Sequence, residues 1–133
     1  MGELKTGLMG RKELVVEERH TAAHLGSGGV PVYATPMMVL AMEEAALGAV
    51  DRLLGPGEAT VGYSLDVKHL AATPLGMRVV ATAELVAIEG RMLTFRVEAR
   101  DDAELIGEGT HVRAVIDTER FKAKLEKKIA ARQ

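Results

Sequence analysis

Two adjacent glutamates, Glu43 and Glu44, sit inside the apolar stretch TPMMVLAMEEAALGAVDRLLG, residues 35–55. A carboxylate among apolar residues is unfavourable to bury unless it is paired, hydrogen-bonded or protonated. Such a group suits a general base or a nucleophile. The two side chains lie ~100° apart around a helix axis. Both have apolar neighbours three and four residues away, so spacing alone leaves open which one turns inward. His69 is the second group of this kind. It follows Val61, Tyr63, Leu65 and Val67 at period two, on the expected core face of a strand. A lone histidine there is usually a satisfied core residue; facing a carboxylate on a helix, it becomes an acid–base partner. Thr35 stands at the helix start. Its hydroxyl can cap the first free N–H groups, and the same helix end can stabilise a developing oxyanion.

Other patterns carry less. His20 and His24 have the spacing of some metal pairs, but glycines follow and there is no HExxH pattern, so no metal site is expected. Gly26-Ser27-Gly28-Gly29 lacks the lysine of a P-loop and reads as a mobile entrance loop. His111 and Arg113 share a strand face, where Arg113 could bind an anion or pair with Asp117. Lys122, Lys124, Lys127 and Lys128 read as a solvated helix face. The chain has no cysteine, which rules out disulfides and thiolate metal sites. A net charge of -2, with no basic patch before the C-terminus, gives nucleic-acid binding little support. Residues 1–19 lack the apolar core of a signal peptide, and a cytoplasmic location fits.

The elements that must position these groups follow from periodicity. With 133 residues, 47% hydrophobic and 27% charged, one packed domain over 1–133 is expected, with residues 1–12 a loose start. Residues 35–55 read as one helix, with Pro36 at its first position and Gly55 as a left-handed stop. It is apolar almost all round and therefore buried. Asp51 and Arg52 end the apolar run short of the ~20 residues that span a bilayer. Strands are expected over 13–18, 59–70, 77–88, 91–101 and 104–118, with a tight hairpin at Glu89-Gly90. Phe121, Leu125 and Ile129 recur every four residues in a C-terminal amphipathic helix. The fold class is α+β: an antiparallel sheet, with its four long strands in a meander, wrapped around one helix. Such a sheet leaves edges that oligomers commonly pair.

Several segments resemble a known family: TPMMVLAMEEAA (35–46), GPGEATVGYSLDVKHLAATPLG (55–76), TAELVAIEGRMLTFRVEARD (82–101) and IGEGTHVRAVID (106–117), continuing into FKAKLEKK (121–128). From about residue 30 onward the chain is similar to hotdog-fold acyl-CoA thioesterases, and more specifically to the fluoroacetyl-CoA thioesterase family. The resemblance implies a catalytic trio on Thr35, Glu43 and His69, which selects Glu43 over Glu44. It implies substrate-binding roles for Gly62, as backbone room beside the acyl group, and for Arg113. It also implies a homodimer, or a larger assembly, with sites at the subunit interface. The substrate would be an acyl-CoA, with coenzyme A entering as part of it and no separate cofactor, nucleic acid or membrane involved. Fluoroacetyl-selective members carry an aromatic segment over the acyl group; here Gly26 to Val30 has no phenylalanine, so fluoroacetate selectivity is not expected. The expected activity is hydrolysis of a small or medium acyl-CoA, with Glu43 as nucleophile or as base toward water. The alternatives are a hotdog enoyl-thioester hydratase, a non-catalytic acyl-CoA binding module and a purely structural oligomer.

Overall fold

A computed structural model describes residues 3–132. In chain order the elements are strand β1 (Met9–Val15), helix α1 (Ala22–Leu25), helix α2 (Thr35–Val50), strands β2 (Glu58–His69), β3 (Arg78–Glu89), β4 (Met92–Asp101) and β5 (Leu105–Asp117), and helix α3 (Thr118–Ala131). Short 3-10 turns lie at Glu18–His20 and Asp51–Leu53. The strands form one antiparallel sheet in the order β1-β3-β4-β5-β2.

Helix α2 supplies the partner that the inner face of this sheet needs. Met38, Ala41, Met42, Ala45, Ala46, Ala49 and Val50 are buried on it. They pack in one cluster with Val79, Ala81, Ala83 and Leu85 of β3 and Leu93, Phe95, Val97 and Ala99 of β4. These strand residues alternate with half-buried or exposed neighbours at period two, as a one-sided sheet requires. The small residues let backbones approach closely. At Gly10 of β1 any Cβ would collide with the Ala45 carbonyl and the Ala49 amide of α2. A helix cradled by a curved sheet in this way is the hotdog arrangement.

The structure departs from the sequence reading at several points. The first strand begins at Met9, inside the stretch expected to be a loose start, and ends at Val15. Its pairing with β3 defines it, not an apolar run. The expected loop over 19–32 holds a 3-10 turn and α1, which Thr21 caps by accepting from the His24 amide at 3.2 Å. Helix α2 stops at Val50, and the left-handed glycine is Gly57 (φ 74°), not Gly55. The helix is also not buried all round: Leu40 and Leu47 are exposed, because the sheet covers one side only. Of the expected meander only β3-β4-β5 holds. An eight-residue connection, 70–77, is too long for a hairpin, and β2 pairs with β5 at the far edge.

Strand β2 carries the most consequential difference. Its register against β5 slips at Tyr63, between Gly62 and Ser64. A bulge of one residue reverses which side chains face inward. Thr60 and Gly62 face the helix before it; Val67 and His69 do so after it. Val61 and Tyr63 therefore leave the expected core face, and Tyr63 is 71% exposed.

Candidate active site

Glu43 lies two turns into α2 and faces Gly62 of β2. A Cβ added at Gly62 would sit 3.1 Å from Glu43 Oε2, so the missing side chain makes the room that the carboxylate occupies. Arg113, on the neighbouring β5 and in register with Gly62, brings Nη1 to 3.7 Å from the same oxygen. The guanidinium is buried and fully seated. Nε donates to Thr60 Oγ1 at 2.9 Å, Nη2 to the Thr60 carbonyl at 3.2 Å, and Nη1 to His111 Nε2 at 3.1 Å. His111 in turn donates from Nδ1 to the Ser64 carbonyl at 2.9 Å and lies against the Phe95 ring. A buried cation is tolerated when donors and partners are matched in this way. Burial, more than the flanking cation, lowers the affinity of His111 for a proton.

The second group lies at the other end of β2. Thr35 Oγ1 and His69 Nδ1 are 2.7 Å apart. The His69 ring packs edge-on against Tyr33, whose hydroxyl donates to the Met37 carbonyl at 3.1 Å. Burial lowers the affinity of His69 for a proton; an Ala71 backbone group near the ring, outside hydrogen-bond geometry, offsets only part of this. Nε2 of His69 is buried without a hydrogen-bond partner, the one such side-chain atom among the described residues. Buried polar atoms are nearly always paired, so this exception asks for a functional reason. The residues around it, Ala22, Ser27, Val32, Tyr33, Thr35 and Leu70 to Ala72, line a cleft of about 330 Å³.

The five residues that the resemblance implies for the site lie at these two places. Glu43, Gly62 and Arg113 meet at one, Thr35 and His69 at the other. Glu44 lies at neither place: it is exposed, and its carboxylate stands 3.5 Å from the Lys12 ammonium of β1. Arg113 pairs with Glu43 and not with Asp117, which caps α3. Thr35 does not cap the helix; Ala34 holds the cap position and the Thr35 hydroxyl turns to His69. The helix end offers fewer free donors than expected, because Pro36 has no N–H and the amides of Met37 and Met38 both reach the Ala34 carbonyl. Glu43 makes no hydrogen bond to Thr35 or His69 among the described residues. Six residues of β2, 63–68, separate Gly62 from His69, on the order of 20 Å along the strand. Thr60 and the role of His111 went unseen in the sequence. The signal is the period-two series 111, 113, 115, which is the inner face of β5 although the alternate series 112, 114, 116 is the more apolar. Among the described residues no group of three His, Cys, Asp or Glu is placed to hold a metal ion, and no helix is long and apolar enough to cross a membrane.

Residues 16–119 match the model of a family described as fluoroacetyl-CoA-specific thioesterase. The fluoroacetyl-CoA thioesterase of Streptantibioticus cattleyicolor is 49% identical over 100 residues, which are 75% of this chain and 72% of that protein. A mutant of the fluoroacetyl-CoA thioesterase solved in complex with acetyl-CoA superposes with a TM-score of 0.87 at 41% identity, over 94% of this chain and 98% of that one. A thioesterase superfamily member from Thermus thermophilus superposes with a TM-score of 0.89 at 31% identity, over 99% of this chain and 100% of that one. With its hotdog fold and its match across most of its length, the chain belongs to the fluoroacetyl-CoA-specific thioesterase family.

Proposed function

We propose that this protein hydrolyses small or medium acyl-CoA thioesters to the free acid and CoA, at sites that two copies of the chain build together. One observation carries the reading: the Glu43 carboxylate is held by Arg113 against a glycine, with no side chain between it and the strand. Thioester hydrolysis needs a nucleophile or base and a contact that polarises the carbonyl. Glu43 supplies the first. It either attacks the carbonyl carbon, expelling CoA thiolate and leaving an anhydride for water to cleave, or takes a proton from the water that attacks. Hydroxylamine, which captures an acylated Glu43, separates the two routes.

His69 supplies the second. If the Thr35 hydroxyl donates to Nδ1, the proton of the neutral ring rests on Nε2, where a substrate carbonyl would satisfy it. Glu43 and His69 are too far apart on one chain to act on one carbonyl. A second copy removes the difficulty. Among the described residues the outer edge of β2 has no strand partner, and it carries the exposed Tyr63 and Leu65. If two β2 edges pair antiparallel about a two-fold axis near Leu65 and Asp66, Gly62 of one copy lies opposite His69 of the other. Each site then takes Glu43, Gly62 and Arg113 from one copy and Thr35 and His69 from its mate. CoA enters only as part of the substrate.

Thiol release from acetyl- to decanoyl-CoA and phenylacetyl-CoA, with wild type beside Glu43→Ala, tests the activity. The expected result is hydrolysis that falls by about 10²–10⁴-fold in the variant. Binding of CoA esters without thiol release would overturn it, in favour of a binding module or a hydratase.

A further inference from the structure

We propose that His111 is a positioning residue for the reaction: seated as a neutral imidazole between the Ser64 carbonyl and the Arg113 guanidinium, it aims Arg113 at Glu43. The hydrogen count settles its tautomer. The Ser64 carbonyl can only accept, so His111 Nδ1, 2.9 Å away, carries a proton. Arg113 has only donors, so His111 Nε2, 3.1 Å from Nη1, carries none. A second proton on the ring would set N–H against N–H and place a cation beside a buried guanidinium. The neutral form is therefore the one that keeps the seat.

The seat decides where the guanidinium points. Thr60 engages Nε through its hydroxyl and Nη2 through its carbonyl, and His111 takes one hydrogen of Nη1. The remaining hydrogen of Nη1 belongs to the atom that lies 3.7 Å from Glu43 Oε2. The charged groups that face the imidazole are Arg113 from β5 and Glu43 from α2; Phe95 of β4 and Ser64 of β2 bring no charge. The carbonyl that fixes the tautomer belongs to the residue directly after the bulge, so the irregularity of β2 sets both faces of the site at once: Gly62 toward Glu43 and Ser64 toward His111.

The kinetic test rests on the thioesterase reading. His111→Phe keeps an apolar ring beside Phe95 and removes the acceptor, whereas His111→Gln keeps a neutral donor and acceptor that do not titrate. His111→Phe lowers kcat by about 10²-fold with KM near that of wild type, as expected for a displaced reacting group. His111→Gln restores most of the loss. A folded His111→Phe with wild-type kcat overturns the proposal, and so does equal loss in both variants. Nitrogen chemical shifts of the wild-type imidazoles add a readout that needs no turnover. His111 is neutral at pH 7 with its proton on Nδ1; a proton on Nε2, or an imidazolium, overturns the proposal. A wild type that releases no thiol counts against the thioesterase reading, and the nitrogen shifts still decide this one.

Discussion

At the Gly62 end of β2, a carboxylate faces a buried guanidinium that three hydrogen bonds hold in place. At the His69 end, an imidazole has one side-chain hydrogen bond, a nitrogen without a partner and a cleft beside it. The first corner has its polar groups matched within the chain; the second leaves one ring nitrogen unmatched. A reacting carboxylate gains from being fixed, because every contact that orients it is made before substrate arrives. A contact meant for substrate must stay unmade until substrate arrives, so an orphaned polar atom marks the receiving side.

Breaking the closed corner has the largest effect. Arg113→Met keeps length but removes every donor, stranding Glu43, His111 and Thr60 together. It lowers kcat by about 10²-fold and unfolding free energy by ~2 kcal/mol, read by thiol release and by urea denaturation. Breaking the open corner separates activity from stability. Thr35 is exposed, so Thr35→Val leaves the melting temperature unchanged and, by removing one neutral hydrogen bond, lowers kcat about 10-fold; Thr35→Ser retains most of the rate. If Thr35→Val loses as much stability as Arg113→Met, the distinction between the corners is wrong.

Both corners hold a histidine that burial keeps neutral, His111 in one and His69 in the other, and His20 is a third. In each the folded state binds a proton less readily than the ordinary value of 6.5. As pH falls through about 6.5, the unfolded chain takes up protons first, so stability is complete above that value and declines below it. Melting temperature is flat above about pH 7 and falls toward pH 5. His111→Gln and His69→Asn each flatten part of that fall; a midpoint that rises on acidification contradicts the assignment. The smallest effect concerns the cleft. A Cβ at Gly29 meets no atom within 4 Å, and Ser27 from the same loop lines the cleft. Gly29→Phe therefore folds normally and narrows the accepted acyl groups toward short chains, within about 10-fold in kcat/KM. An unchanged acyl profile would show that this loop does not reach the acyl group.

Much of this was legible in the sequence. Helix α2 announced itself through Pro36 and an apolar run broken chiefly by Glu43 and Glu44, and β4 through strict alternation at Leu93, Phe95, Val97 and Ala99. The closed corner was harder to see. Period two carried through Tyr63 assigns Val61 and Tyr63 to the core, because a bulge leaves no mark in composition. Gly62 entered only through resemblance; its physical reason, room for Glu43, exists only once helix and strand face each other. Thr60 looked like any strand threonine, and His111 and Arg113 looked like a polar interruption in an apolar strand. They are the inner face of β5, because the half-buried Glu43 carboxylate needs a polar seat there more than another aliphatic side chain. The order of the sheet was hidden as well, since the eight residues between β2 and β3 carry no record of where β2 docks.

Complementation between two inactive variants tests most directly whether one site draws on two chains. Glu43→Ala and His69→Ala are each prepared alone, shown to be folded and nearly inactive, then unfolded together, refolded as a mixture and assayed for thiol release. In a mixed pair one site carries both lesions and the other carries neither, so an equal mixture recovers about a quarter of wild-type activity. Recovery that rises from the level of the separate variants to that fraction is the predicted result. A refolded mixture that contains mixed pairs and still shows no more activity than either variant alone would contradict the shared site, and place Glu43 and His69 of the same chain at one carbonyl.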